Sequence, residues 1–127
     1  MGPSHNLNEF IKACKSSKVV GVSINAQDGA KYFNLNTITS ILNFITKGGL
    51  ENPQFINSKL WEKNPEKSLT IMIDAYGFFS GTKYGYIAFR FHPKLGGWYI
   101  KSFKKNKEID PRNLALAKQL NKLQIKG

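Results

Sequence analysis

Carboxylates are scarce in this sequence, and so are arginines, histidines and cysteines. Eight Asp and Glu residues stand against 19 Lys and Arg, leaving a net charge of +11 over 127 residues. That excess predicts attraction to nucleic acid or anionic lipid and carries no information about fold. Only Arg90 and Arg112 are arginines. Lysine-dominated charge neutralises phosphates as point charges and disfavours bidentate reading of base edges in a double helix. The single cysteine, Cys14, excludes an intrachain disulfide, and its place on an apolar helix stripe reads as a small buried hydrophobe. His5 and His92 are the only histidines, so no Cys/His set has metal-ligand spacing and no metal or other cofactor is expected. No apolar run approaches the roughly 20 residues that span a bilayer, and no signal-peptide pattern opens the chain. A cytoplasmic protein without a membrane partner is expected.

What is present points to a folded domain. A hydrophobic fraction of 41% with dispersed aromatics argues against a disordered basic tail. Residues 1–5, Met-Gly-Pro-Ser-His, read as a cloning remnant, which leaves His5 without functional weight and residues 6–127 as a single domain. Leu7, Phe10, Ile11 and Cys14 fall at helical spacing behind Asn6 as N-cap. Residues 18–24 form a β-branched run that reads as a strand, and a helical turn is expected within residues 25–33. Asn36 is placed to cap a helix to Lys47, with Ile38, Ile41, Leu42 and Ile45 on one stripe and Gly48 and Gly49 as its stop. Asn52 and Pro53 restart a brief helix or turn ending near Trp61. Residues 62–67 are a polar loop, residues 68–76 alternate as a strand, and residues 77–82 read as a turn. Asp110 and Pro111 open a final helix as N-cap and first helical residue, with Leu114, Ala117, Leu120 and Leu123 at three- and four-residue steps. The order predicts an α+β fold: an antiparallel meander sheet of three to four strands, N-terminal helices packed on one face, and a C-terminal helix.

Residues 84–107 are the most unusual stretch. They hold six Lys or Arg, one histidine and no carboxylate, spread over two predicted strands joined by Pro93, Lys94, Leu95, Gly96 and Gly97. Alternation puts Tyr84, Tyr86, Ala88, Arg90 and His92 on one side of the first strand, and Gly85, Ile87, Phe89 and Phe91 on the core side. An aromatic, cationic face suits a polyanion with flat bases. In the second strand, alternation puts Lys101 on the core side with Tyr99 and Phe103, so either a bulge shifts the register or both faces are partly exposed. Ordinary structural roles compete at each position. Tyr84 and Tyr86 suit cross-strand packing as well as base stacking, His92 suits an exposed loop as well as a general base, and Lys104, Lys105 and Lys107 suit a solvated strand end. Metal-free RNA cleavage needs a base for the 2′-OH, cations on the phosphate and an acid for the leaving 5′-oxygen. Lys, Arg, Tyr and His can fill all three roles. A lysine becomes a base only when burial or neighbouring cations lower its pKa, a condition that clustering of Lys101, Lys104, Lys105 and Arg90 would favour.

A family pattern runs through residues 7–105. The amphipathic first helix, the Val-rich strand with Ser23 and Ala26, Ile38 to Ile45 followed by Lys47, Phe55 with Lys59, Ile73 to Tyr76, Tyr86, and the closing Ser102, Phe103 and Lys104 together resemble the MqsR-type toxins, mRNA interferases of the RelE-like superfamily. The resemblance implies a metal-independent endoribonuclease held inactive by an acidic cognate antitoxin. It places the active-site tyrosine at Tyr86, the strand-terminal lysine at Lys104 and, more loosely, an upstream lysine at Lys59. Two departures stand out: Ile73 falls where the family has a glutamine, and the helix from Pro111 to Leu123 extends beyond compact members.

The leading expectation is therefore an mRNA-cleaving toxin. Tyr86 would orient or stack on the substrate, Lys104 and Arg90 would stabilise the phosphorane, and Lys59 or His92 would assist proton transfer. Tyr84, His92, Lys94, Lys101, Lys105 and Lys107 would bind RNA. The alternatives are a non-catalytic nucleic-acid-binding module and an effector-like domain docking on an acidic protein.

Overall fold

In the computed structural model, which describes residues 2–114 and 118–120, the Asn6 side chain accepts the Glu9 backbone N–H at 3.1 Å and starts α1 (Leu7–Ala13). Phe10 and Cys14 point inward and are almost wholly buried. Burial pushes the Cys14 thiol up to about 12, which keeps it protonated and inert. β1 (Val20–Val22) is shorter than the β-branched run, because Ser23 turns the chain. Its hydroxyl accepts the Ala26 N–H at 2.9 Å as the cap of α2 (Ile24–Ala30) and donates to the Lys101 carbonyl at 2.7 Å. A 3-10 turn (Lys31–Phe33) follows, then α3 (Ile38–Thr46). The cap of α3 is Thr37 rather than Asn36, in a reciprocal capping box with Ser40. Gly48 ends this region at φ 84°.

Residues 51–60 correct the expected helix. They form β2 (Glu51–Leu60), an edge strand paired only with β3 (Met72–Ser80). Pro53 does not end a strand here because an edge strand can leave one N–H side unpaired, and the pairing register slips at Asn52–Pro53 and at Ile56. The turn expected over residues 77–82 is also shorter. β3 continues through Gly77, Phe78 and Phe79 to Ser80, and only Gly81 and Thr82 separate it from β4 (Lys83–His92). Gly77 leaves room for the Tyr84 side chain, whose hydroxyl lies 2.9 Å from where a Cβ would stand. β5 (Gly97–Lys105) closes the sheet.

The fold is α+β, but the sheet has five strands and is mixed, ordered β1-β5-β4-β3-β2. β2 to β5 make the antiparallel meander, and β1 adds in parallel beside β5. A three-residue strand carries no local sign of its partner, and a parallel pairing needs a crossover, here the whole chain between them. Helices cover one face. Phe10 stacks on Phe89 at 4.0 Å, and Ile87, Ile100 and Phe103 pack with Ala26, Ala30, Ile41 and Ile45 in the main core. Asp74 is fully buried, its carboxylate accepting the backbone N–H groups of Ser4 (3.1 Å) and His5 (2.8 Å). The His5 ring packs edge-on to Trp98, so these two residues of the opening segment are part of the packed structure.

Asp110 caps the chain's last described turn, accepting the Arg112 N–H at 2.8 Å. Residues 111–114 and 118–120 are helical; residues 115–117 and 121–123 of the expected helix lie outside the described residues. Among the described residues no helix is long and apolar enough to cross a membrane.

Candidate nucleic-acid interface

The face away from the helices is where the hairpin's polar side chains go. Ile87 and Phe89 are fully buried beneath the helices, while Tyr86 and Arg90 lie half-buried on the opposite side. A thin apolar floor of Ile73, Ala75 and Ala88 sits under them, flanked by Trp61 and Tyr86. Ile73, read against the family pattern as a lost glutamine, belongs to this floor.

Lys101 resolves its two readings in favour of a bulge. Ala88 pairs with Ser102 and Phe89 pairs with Ile100, leaving Lys101 as the extra residue. The bulge lets Ile100 and Phe103 both reach the core at 0% exposure. It also moves Tyr99 to the open face, opposite Arg90, correcting its assignment to the core side. Lys101 joins Lys59, Trp61, Tyr86 and Ser102 around a trough of about 680 Å³. A second hollow, about 270 Å³, shares Lys59 and Tyr86 and adds Lys104, Asn106 and Lys107. Tyr86 faces Lys104 across the strand pair, with the ammonium 5.5 Å from the ring centroid. Burial raises the Tyr86 pKa, so the phenol is a proton-bearing donor at neutral pH. Among the described residues, Lys59, Lys101 and Lys104 form no ion pair. Glu62 and Glu108 lie on the rims.

Arg90 occupies a different station. Its guanidinium lies 3.7 Å from the Trp61 ring centroid and 4.2 Å from that of Tyr99. Burial lowers its pKa and the neighbouring Tyr99 partly restores it. Four residues of β4 separate it from Tyr86, roughly 13 Å at ~3.3 Å per residue. Arg90 and Lys104 therefore do not converge on one phosphate. His92 is farther still, roughly 20 Å from Tyr86 by the same count. Its Nδ1 accepts the Leu95 N–H at 3.2 Å and its Nε2 lies 4.0 Å from Glu66, so it stands outside the Tyr86 cluster.

The remaining expected RNA-binding residues divide. Lys107 lines the second hollow beside Lys104. Lys94 is held at 2.6 Å by Glu66, whose pKa that contact lowers. Lys105 sits on the helix side of the sheet, 5.8 Å from the Tyr32 ring, because its partner Gly85 is a core-side residue. Tyr84 is on the open side, but its ring packs on Phe79 at 5.4 Å, and burial together with Asp110 and Glu108 raises its pKa. Ser102, part of the family pattern, lines the trough as alternation from Lys104 predicts. Trp61 and Tyr99 were missed: Trp61 was read as the end of a helix or turn, and the bulge hid Tyr99 from simple alternation.

Among the described residues no group of three His, Cys, Asp or Glu could hold a metal ion. Fold and face together define an α+β protein whose sheet surface opposite α1, α2 and α3 is aromatic, lysine-lined and troughed. No protein-family model, no curated protein and no solved structure matches the chain.

Proposed function

We propose that this protein is a metal-independent endoribonuclease of the mRNA-interferase kind, acting on single-stranded RNA laid along the open sheet face. The observation that carries the reading is that Lys59 and Tyr86 line two adjoining hollows, one completed by Lys101 and the other by Lys104, so that three strands bring these groups together beside half-buried aromatic rings. Aromatic platforms in a cationic groove are how proteins hold single strands. In the reaction, the 2′-oxygen loses its proton and attacks the adjacent phosphorus, and the P–O5′ bond breaks. The products are a 2′,3′-cyclic phosphate and a 5′-hydroxyl. Lys104 and Lys101 stabilise the phosphorane charge, which is typically the largest single contribution to such catalysis. Tyr86, kept neutral by its surroundings, donates a proton to the leaving 5′-oxygen, and Lys59, acting as the amine, takes the proton of the 2′-OH. A cytoplasmic site of action follows from an mRNA substrate. The resemblance to MqsR-type toxins adds an acidic antitoxin as the partner that would cover this face.

Non-catalytic RNA binding is the second reading. Lys59, Lys101 and Lys104 are all exposed, and nothing buries an ammonium to make it a base. One experiment separates the two: express wild type and Lys104→Ala, score growth arrest, and map RNA ends formed in vitro in the presence of a chelator. Cyclic-phosphate ends with wild type alone support cleavage; intact RNA with salt-sensitive binding leaves only the second reading.

A further inference from the structure

Arg90 is presented in a way that simple phosphate neutralisation does not require. Its guanidinium lies against two aromatic rings at once, Trp61 at 3.7 Å and Tyr99 at 4.2 Å from the ring centroids. Among the described residues, every side-chain hydrogen bond made by an arginine belongs to Arg112. Arg90 also forms no ion pair among them. Among the described residues no buried side-chain nitrogen or oxygen lacks a partner, so the free N–H edge of Arg90 meets solvent. The result is a planar set of donors held against two rings, with its N–H edge turned to solvent. Such a fork loses little conformational freedom on meeting a matching pair of acceptors.

Beside that edge lies a hollow of about 220 Å³, walled by His92, Leu95, Gly97 and Trp98 as well as by the clamp itself. Leu95, on the hairpin tip, is 81% exposed. A phosphate placed there would surrender water to largely apolar walls, with Arg90 as the one Lys or Arg lining the hollow. Nearby Lys94 is held by Glu66, and the His92 ring that also lines the hollow accepts the Leu95 N–H and lies 4.0 Å from Glu66. A neutral planar base presenting two acceptors fits better. Guanine is the base whose O6 and N7 accept both donors of an arginine fork. In single-stranded RNA an unstacked base can present that edge freely.

We infer that the hollow beside the Arg90 clamp is a guanine-reading subsite, displaced along β4 from the Tyr86–Lys104 pair. The inference rests on the RNA-directed reading of this face but needs only binding, not cleavage. At the ~3.4 Å rise of a stacked strand, the roughly 13 Å offset puts the recognised guanine within about four nucleotides of the phosphate held at Tyr86.

The test is fluorescence anisotropy with short single-stranded oligoadenylates carrying no guanosine, one guanosine or one 7-deazaguanosine. Each is titrated into wild type and into Arg90→Lys at one salt concentration. Wild type should bind the guanosine oligomer roughly ten-fold more tightly than oligoadenylate, within the 1–3 kcal/mol typical of a bidentate base contact. 7-Deazaguanosine, lacking the N7 acceptor, should lose most of that gain. Arg90→Lys, still charged but without the fork, should bind all three oligomers alike. Equal wild-type affinities, a preference indifferent to N7, or a preference that survives Arg90→Lys would each overturn the subsite. The deaza comparison uses wild type only, so it decides the matter even where the variant fails to fold. Guanine-selective binding without cleavage would remove the nuclease reading and leave the subsite standing. Failure to bind any oligomer would remove both.

Discussion

Lys104 stands directly across from Tyr86 in the β4–β5 ladder, its ammonium 5.5 Å from the phenol ring and free of any carboxylate among the described residues. Neither side chain supports the main core, so both can be altered without unfolding the protein. Lys104→Ala should reduce RNA cleavage by about 100-fold or more, the scale of losing one charge-stabilising donor. Tyr86→Phe should keep RNA affinity, because the ring remains, and reduce cleavage if the hydroxyl is the donor to the leaving oxygen. Single-turnover assays beside thermal melts check both, and full activity in both variants would sink the nuclease assignment.

Lys101 offers a cleaner separation of charge from fold. Deleting it removes the bulged residue and restores plain alternation, with Ile100 and Phe103 still facing the core and Ser102 and Lys104 still on the open face. The deletion variant should fold with a slightly lower Tm, because the Ser23 hydroxyl loses the Lys101 carbonyl it donates to. Its RNA binding should lose one phosphate contact, lowering the slope of log K against log salt by about 0.7. An unfolded deletion variant would show that the bulge itself is required.

Gly29 couples the helix layer to the site. A Cβ on Gly29 of α2 would meet the Phe103 carbonyl and come within 2.8 Å of the Lys104 Cβ. Alanine is the better helix former by about 1 kcal/mol, but displacing packed backbone costs about 1–3 kcal/mol. Gly29→Ala should therefore lower Tm by several degrees and also impair cleavage by shifting Lys104. An unchanged Tm would mean that β5 gives way to the added methyl at no net cost, which would remove the coupling.

Asp110 and Arg112 give the fold an acid-sensitive clasp. Arg112 donates to Asp110 at 2.7 Å and to the Gly81 carbonyl at 2.8 Å, and lies 4.0 Å from the Phe79 ring centroid. Its side-chain hydrogen bond is the main reason the Asp110 pKa falls below the ordinary 3.8. A carboxyl whose pKa is lower in the folded state stabilises the fold above the unfolded value, and that contribution disappears as pH falls below 3.8 through the folded value. The Tm gap between wild type and Arg112→Ala should be widest near neutrality and narrow below that pH, leaving the part due to Gly81 and Phe79. A gap independent of pH would remove the electrostatic account.

Local patterns disclosed much of this molecule. Helix caps at Asn6 and Asp110, the stripe through Ile41, Leu42 and Ile45, and the inward Ile87 and Phe89 follow from near-neighbour chemistry, which acts over a turn or a strand. Pro53 was misread because proline serves either a helix start or a strand edge. The choice depends on whether a neighbouring strand needs its N–H. Gly77 and Phe79 were misread as a turn because the Tyr84 ring that fills the space beside them comes from the next strand.

Composition and alternation were enough to settle an α+β chain with a basic, aromatic hairpin and a core side distinct from a polar side. They depend on side-chain identity and on the two-residue period of a strand, both of which are local. Partnership came from folding: β1 beside β5, Trp61 and Tyr99 against Arg90, Lys59 within reach of Tyr86, Lys94 claimed by Glu66 and Lys105 turned away by Gly85. Each brings together residues set by sheet order and one bulge, and no local rule encodes which distant strand lies next to which.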